Sequence, residues 1–214
     1  MREDIIAAAH ALAATGLVTA FGHVSAREEG QESFHITPPR PLGALELDES
    51  LLEVSLADGE LPEGVPKEAW VHWAIYNARP DVGGICRGQP PISTAVTSAG
   101  VPIKPLHGQG AFLGREVPVY DDARLIRGRE AGEALAGDLG NARGIIMRGN
   151  GAVTVGSSVG VAAARMWVLE ASAEINRTAA AGTPRVLNEE EFSYWESVSE
   201  EILERIWGYL KTGG

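Results

Sequence analysis

The sequence predicts a single domain of helices and strands, because both helical and strand patterns occur along the chain and no linker separates them. Apolar residues recur at helical spacing in residues 3–15 and 68–79, whereas residues 82–86 and 142–155 are typical of short strands. No repeat, low-complexity tract or linker divides the 214 residues, which suffice to bury a core. We therefore expect one domain over residues 1–214.

The charge and cysteine content narrow the function classes. A net charge of −11 opposes binding to nucleic acid or to anionic membranes, because the long-range field repels both. No apolar run approaches a membrane span, and the N-terminal MREDII is too acidic for a signal peptide. The single cysteine, Cys86, cannot form an internal disulfide. We expect a cytoplasmic protein that binds neither nucleic acid nor membrane.

The N-terminal part reads as a helix followed by strands. The helix covers residues 3–15, and strand patterns follow at residues 21–27 and 34–37. Residues 45–61 have strand and turn character. These short strands predict that a sheet begins near the N-terminus.

The first strand pattern carries residues that suit a binding site. Gly22 lets the backbone approach a ligand closely, and His23 and Ser25 can hydrogen-bond an anion or a hydroxyl group. The alternative is that His23 is a buried strand residue whose ring is bonded to a backbone carbonyl. Both interpretations remain open from the sequence.

The most informative stretch is PKEAWVHWAIYNARPDVGGICRGQPP, residues 66–91. Glu68 and His72 stand four apart in an apolar helical pattern, so both are expected on one helix face. An Arg-Pro pair ends the helix, since proline disfavours helical geometry in the residue before it. A strand over residues 82–86 then leads to the polar residues Arg87-Gly88-Gln89. This order brings a carboxylate and a polar cluster to one cleft.

Two further features follow this stretch. Residues 92–98 begin a helix, and a glycine-rich loop after it contains His107, which either faces the pocket or lies at the surface. Residues 122–140 show the pattern of an amphipathic, charge-rich helix.

The C-terminal part predicts a hairpin and two helices. Residues 142–155 read as two strands joined through Asn150, which is followed by glycine as in a tight hairpin turn. Helices are predicted over residues 157–178 and 189–211. The last helix carries an apolar stripe that covers either the protein's own core or a neighbouring subunit. The stripe consists of Phe192, Trp195, Val198, Ile202, Ile206 and Leu210.

These segments together resemble the class II aldolase/adducin family, from residue 3 to about residue 180. The resemblance rests on GHVS starting at Gly22, on Glu68, on RPDVGG starting at Arg79 and on GNGAVTVG starting at Gly149. It implies a three-layer α/β/α domain with a mixed central sheet, usually assembled as a homotetramer with active sites between subunits. The GHVS form is similar to a branch that contains decarboxylase-like enzymes.

The resemblance also implies a metal site whose ligands are changed in this chain. Family members hold a divalent metal with a His-x-His pair and a third, later histidine, and these positions are Arg87, Gln89 and Asn150 here. Amide oxygens are weak zinc ligands, and a guanidinium repels a cation. We therefore expect neither a metal nor another cofactor. The alternative is a displaced metal site built from His72, His107 or Cys86.

Two anion-binding elements of the family are changed as well. The loop that reads TPSG in relatives is Thr37-Pro38-Pro39-Arg40 here, and Pro39 has no N–H to donate. The serine pair before the catalytic Glu is replaced by Pro66-Lys67. A phosphorylated sugar is therefore a poor candidate for the substrate. Arg40 and Lys67 suit a carboxylate instead, or are solvated surface charges.

Two hypotheses follow from the residues and the resemblance. In the first, the chain is a metal-independent lyase, aldolase- or decarboxylase-like, that acts on a small oxygenated carboxylate through an enolate-type intermediate. Glu68 transfers the proton, and Arg87 replaces the metal as electrophile. In the second, the chain is a non-catalytic scaffold or ligand-binding protein, as in the adducin branch. The expected substrate-binding residues are Gly22, His23, Ser25, Thr37, Arg40, Lys67, Gln89, His107 and Asn150.

Overall fold

A computed structural model describes residues 1–213. Its helices are α1 (Arg2–Ala14), α2 (Ala69–Ala78), α3 (Pro91–Ser98), α4 (Arg129–Leu139), α5 (Val159–Ala179), α6 (Glu189–Ser197) and α7 (Ser199–Lys211). Its strands are β1 (His23–Ala26), β2 (Ser33–Ile36), β3 (Leu52–Ser55), β4 (Gly84–Gly88), β5 (Val119–Tyr120), β6 (Gly144–Met147) and β7 (Gly151–Gly156).

The seven strands form one mixed sheet in the spatial order β3-β2-β1-β4-β7-β6-β5. Strands β5 and β6 pair in parallel, and the other neighbours pair antiparallel. Helices α1, α3, α5 and α7 contribute to a core on one face, and α2 and α4 contribute to a core on the other. The predicted three-layer α/β/α domain with a mixed central sheet is confirmed.

Strand β4 crosses the centre of the sheet and supplies both cores with alternating side chains. Ile85 is buried in the core under α2 and α4, whereas Cys86 is buried in the core under α5. Arg87 shares the face of Ile85 because it lies two residues further along the strand. Its side chain therefore lies on the α2 side of the sheet, near the C-terminal end of β4.

The strand after α2 is displaced from its predicted position. It spans Gly84–Gly88 rather than residues 82–86, because its ladder with β7 starts at Gly84 and ends at Gly88. Arg87 therefore lies inside the strand. The predicted hairpin is present, since β6 and β7 pair antiparallel around the turn that contains Asn150.

Two predicted helices differ from the observed ones. The helix expected over residues 122–140 begins at Arg129, because Gly128 is its N-cap and has an extended backbone. The helix expected over residues 189–211 breaks at Val198 into α6 and α7. The first difference leaves a loop between β5 and α4 that contributes to the site.

The apolar stripe of the C-terminal helices packs against the chain's own core. Phe192 is buried, and Trp195 and Trp207 pack against the same core cluster as α5. The sequence left two possibilities, that the stripe covers the protein's own core or a neighbouring subunit. In the structure, the stripe packs on the protein's own core. In residues 1–213, no helix combines the length and low polarity that crossing a membrane requires.

Candidate active site

The N-terminus of α2 lies close to the ends of the central strands β1, β4 and β6, at one end of the sheet. His23 pairs with Arg87 in the β1–β4 ladder, so the two side chains lie side by side on one face. Glu68 occupies the N-cap position of α2 and contacts Arg87. Asn150 lies in the β6–β7 turn, beside the end of β4. The fold thus brings together a carboxylate, a guanidinium, an imidazole and an amide.

Direct contacts hold Glu68, Arg87 and Asn150 together. Arg87 Nη2 lies 3.2 Å from Glu68 Oε2 and 3.5 Å from Glu68 Oε1. The same nitrogen donates to Asn150 Oδ1 at 2.9 Å and to the Asn150 backbone carbonyl at 3.2 Å. Asn150 Nδ2 donates to Glu68 Oε1 at 3.3 Å. The three side chains form a closed triangle.

Arg87 is the largest of the fully buried side chains and is only 1% exposed. Burial lowers the pKa of Arg87 from its usual value, and the charge of Glu68 opposes that fall. The guanidinium stays charged, because its pKa starts above about 12. Its Nε and Nη1 atoms have no hydrogen-bond partner among the described residues. Because a buried unpaired charge is strongly unfavourable, Arg87 depends on Glu68 for its countercharge.

His23 joins this triangle as a neutral imidazole. Its Nε2 atom lies 3.9 Å from Glu68 Oε2. Burial lowers the pKa of His23 well below its usual value, and the charges of His72 and Arg87 act in the same direction. At neutral pH, His23 can therefore offer hydrogen bonds at the site but adds no charge.

A buried hydrogen-bond chain lies beneath His23. Ser25 Oγ is hydrogen-bonded to His72 Nδ1 at 2.7 Å and to Tyr76 Oη at 2.9 Å. The His72 ring lies 5.6 Å from the His23 ring in an edge-to-face arrangement. Burial, with a smaller effect of Arg87, lowers the pKa of His72 to about 3. Ser25 therefore braces the contact between sheet and helix and does not face a ligand, contrary to the expectation from the sequence.

The triangle forms the floor of a cleft of about 650 Å³. Five of the residues expected to bind substrate line this cleft: Gly22, His23, Arg40, Gln89 and Asn150. A side chain at Gly22 would have its Cβ 3.0 Å from the Arg87 carbonyl oxygen and 2.9 Å from Val18. A side chain at this position would therefore crowd the backbone of β4, which favours glycine where the chain enters β1.

Three other expected binding residues lie outside the cleft lining. Thr37 Oγ1 accepts the backbone N–H of Val24 at 3.2 Å. His107 Nε2 is hydrogen-bonded to Ser172 Oγ of α5 at 2.9 Å. Lys67 lines a separate surface hollow. These residues belong to motifs that were expected to form the site. In the folded chain, their side chains lie outside the cleft.

Arg40 lines the cleft, but its guanidinium is already engaged. Arg40 Nη1 lies 2.6 Å from Glu49 Oε2, and Nη2 donates to the Ala44 carbonyl at 3.4 Å. The prediction that Arg40 binds a substrate carboxylate is therefore not supported, because the carboxylate of Glu49 already pairs with this guanidinium. Glu49 lies nine residues from Arg40 in the chain and belongs to no motif, so the sequence does not predict this contact.

Three further residues line the cleft without any sequence signal for a site: Phe21, Leu125 and Arg127. Phe21 is 69% exposed and Leu125 is 50% exposed. Leu125 and Arg127 belong to the loop that the sequence pattern assigned to a helix. Gly128 is the signal that corrects this assignment, because glycine is acceptable at an N-cap and unfavourable inside a helix.

The positions that the resemblance assigns to metal ligands do not fit a divalent cation in this chain. Arg87 brings a permanent positive charge, and Asn150 directs its Oδ1 atom at that guanidinium. Gln89 offers only a neutral amide. Within residues 1–213, no group of three or more His, Cys, Asp or Glu side chains is arranged to hold a metal ion.

The residues considered for a displaced metal site are kept apart by packing. His72 and His107 are each bonded to a serine hydroxyl, in opposite layers of the domain. Cys86 faces α5, and burial raises the pKa of its thiol. The thiolate that binds metals is thereby disfavoured. The structure does not bring these three residues to one point.

Comparison with known proteins gives a consistent picture. A 3,4-dihydroxyphthalate decarboxylase from Rhodococcus jostii (strain RHA1) is 38% identical over 110 residues, or 48% of this chain and 45% of the relative. That match spans less than half of the relative's length. A 3,4-dihydroxyphthalate decarboxylase from Arthrobacter keyseri is 29% identical over 177 residues, or 74% of this chain and 70% of the relative.

A solved structure and a family model extend the comparison. The L-fuculose-1-phosphate aldolase from Thermus thermophilus is 28% identical, with a TM-score of 0.74 over 86% of this chain and 97% of that chain. The model of the Class II Aldolase and Adducin N-terminal domain matches residues 3–176. This match includes Glu68, Arg87 and Asn150. The chain belongs to the class II aldolase and adducin family.

Proposed function

We propose that this chain is a carbon–carbon lyase of the decarboxylase type that acts on a small oxygenated carboxylate. The contact of 3.2 Å between Arg87 and Glu68 carries the proposal, because it joins a fixed cation to a proton-transfer group on the floor of a cleft. The two decarboxylase relatives support the reaction type. Their named substrate, an aromatic acid with two hydroxyl groups, is the class that we infer for this chain.

The residues suit the steps of a decarboxylation. Glu68 takes the proton of a substrate hydroxyl group and delivers it to the ring carbon that bears the leaving carboxylate, so that the hydroxyl oxygen becomes a carbonyl oxygen. The bond between that carbon and the carboxylate then breaks, CO₂ leaves, and the electron pair passes to the carbonyl oxygen as an enolate, the phenolate of the product, which Arg87 stabilises. The phenolate takes up a proton from water. His23 and Asn150 orient the substrate oxygens.

Release of CO₂ by metal-free protein tests this function. A dihydroxylated aromatic acid with two carboxylates is incubated with protein that has been dialysed against a chelator, and CO₂ is measured. We expect release without added metal, because Arg87 already supplies the positive charge. No release from metal-free or metal-supplemented protein would refute the proposed reaction.

The second candidate function is a non-catalytic ligand-binding protein. The observation that favours it is the closed triangle, in which Glu68 and Asn150 occupy Nη2 of an Arg87 side chain that is 1% exposed. An electrophile so engaged has to exchange partners when a substrate enters. Ligand binding without any turnover would support this second function.

We also propose that the chain forms a homo-oligomer, most simply a tetramer, with a neighbouring subunit at the mouth of the cleft. The family resemblance supports this, as do the exposed apolar side chains of Phe21 and Leu125 at the rim of the cleft. Light scattering at micromolar concentration is expected to give the mass of four chains. A monomeric mass would contradict the proposal and would mean that one chain forms the whole site.

A further inference from the structure

The cleft has a charge opposite to that of the chain. Arg40, Arg87 and Arg127 line it together with Glu68, so its lining has a formal charge of +2 on a chain of net charge −11. Glu49 neutralises Arg40, and Glu68 neutralises Arg87. The positive charge that remains is that of Arg127.

Arg127 differs from the arginines beside it on the loop and helix. Arg124 pairs with Asp122, and Arg129 pairs with Glu133. Within residues 1–213, the Arg127 side chain has neither an ion pair nor a hydrogen bond, and it is exposed where the cleft borders the hollow that Lys67 lines. A guanidinium with a free planar fork is the side chain best suited to bind a carboxylate through two parallel hydrogen bonds.

We infer that Arg127 binds a carboxylate of the substrate that is retained in the reaction, so that the substrate is a dicarboxylate. This inference rests on the proposed decarboxylase function. It assigns the recognition of the second acid group to a loop residue and leaves the chemistry to Glu68 and Arg87.

The charge change in the reaction explains why the anchored carboxylate must be a second one. A carboxylate that leaves as CO₂ loses its negative charge on the way to the transition state. A cation holding that group would stabilise the bound substrate more than the transition state and would slow the reaction. A retained carboxylate keeps its charge throughout, so Arg127 can hold it without affecting the chemical step.

The remaining walls of the cleft suit a planar ring between the two ends. Leu125 lies two residues from Arg127 on the same loop, and Phe21 lies at the rim. Pro39, Pro41 and Pro66 add further apolar surface and no N–H donors. Such walls offer few hydrogen bonds to the hydroxyl groups of a sugar phosphate but favour an aromatic acid.

Binding of benzoate and benzamide tests the inference without any turnover. The two ligands have nearly the same shape and differ in charge. We expect wild-type protein to prefer benzoate, and Arg127→Ala to lose roughly 10- to 100-fold in benzoate affinity with little change for benzamide. Arg124→Ala is the matched control, since it removes one charge from the same loop outside the cleft lining. Ligand-observed NMR titration measures both affinities.

Any of three results would overturn the inference. They are a wild-type protein without preference for benzoate, an Arg127→Ala variant that retains the preference, and an Arg124→Ala variant that loses as much affinity as Arg127→Ala. The failure of the proposed function is separate, because both ligands are inert. Loss of benzoate preference in Arg127→Ala without CO₂ release from any acid would leave a carboxylate-binding residue in a protein that is not a decarboxylase.

Discussion

Replacing Arg87 by lysine is expected to lower the rate of CO₂ release by roughly 100- to 1,000-fold, the usual effect of losing one oxyanion contact. Lysine keeps the positive charge but has no counterpart to Nε and Nη1, the two guanidinium nitrogens that stay unpaired while Nη2 contacts Glu68 and Asn150. Glu68→Gln should abolish turnover and retain ligand binding, because it keeps the shape and removes the titrating proton. Steady-state rates and ligand titration of both variants measure these effects.

The matched control for these variants is Arg177→Lys. Arg177 pairs with Glu174 on the exposed surface of α5, so its replacement should leave the rate unchanged. Normal turnover by both Arg87→Ala and Glu68→Gln would exclude the proposed catalytic pair. Unchanged ligand binding by these two variants, with no turnover in wild-type protein, would instead support the binding-protein function.

Glu68→Ala is expected to lower the free energy of unfolding by about 3–5 kcal/mol. The substitution leaves the guanidinium of Arg87 buried without a countercharge, and Asn150 can offer only neutral acceptors. Urea denaturation of wild-type and variant protein measures the difference. The effect is large because Arg87 is 1% exposed and cannot reach water without a change in the sheet.

Two further variants separate the buried charge from other effects. Glu49→Ala removes the partner of Arg40, whose side chain is 50% exposed, and should change the free energy of unfolding by less than about 1 kcal/mol. Combining Glu68→Ala with Arg87→Met should recover much of the lost stability, since no charge then remains buried. Equal effects of Glu68→Ala and Glu49→Ala on the free energy of unfolding would show that the buried Arg87–Glu68 pair matters no more for stability than the exposed Arg40–Glu49 pair.

The sequence predicted the parts of the fold and site that depend on local pattern and spacing. Glu68 and Arg87 are recognisable because a helix, a tight turn and a strand bring them together over a short stretch of chain. Asn150 is recognisable from its hairpin motif. The three-layer architecture followed from the same motifs, since they are spread over most of the domain.

The parts that were not predictable depend on side-chain direction and on distant partners. Nothing in the pattern shows that Glu49 engages Arg40 or that Ser172 engages His107, because these contacts form only when separate elements pack together. Arg127 was hidden for a different reason. Its segment has helical periodicity, but the helix starts after Gly128 and leaves Arg127 on a loop at the cleft.

The most direct test of the central claim is CO₂ release by protein whose metal content is measured in the same sample. The claim is that the Arg87 guanidinium supplies the positive charge that the family resemblance assigns to a divalent ion. We expect elemental analysis to find well below one metal ion per chain, CO₂ release to be the same before and after chelation, and Glu68→Gln to release none. Release that disappears on chelation and returns with added zinc or manganese would contradict the claim.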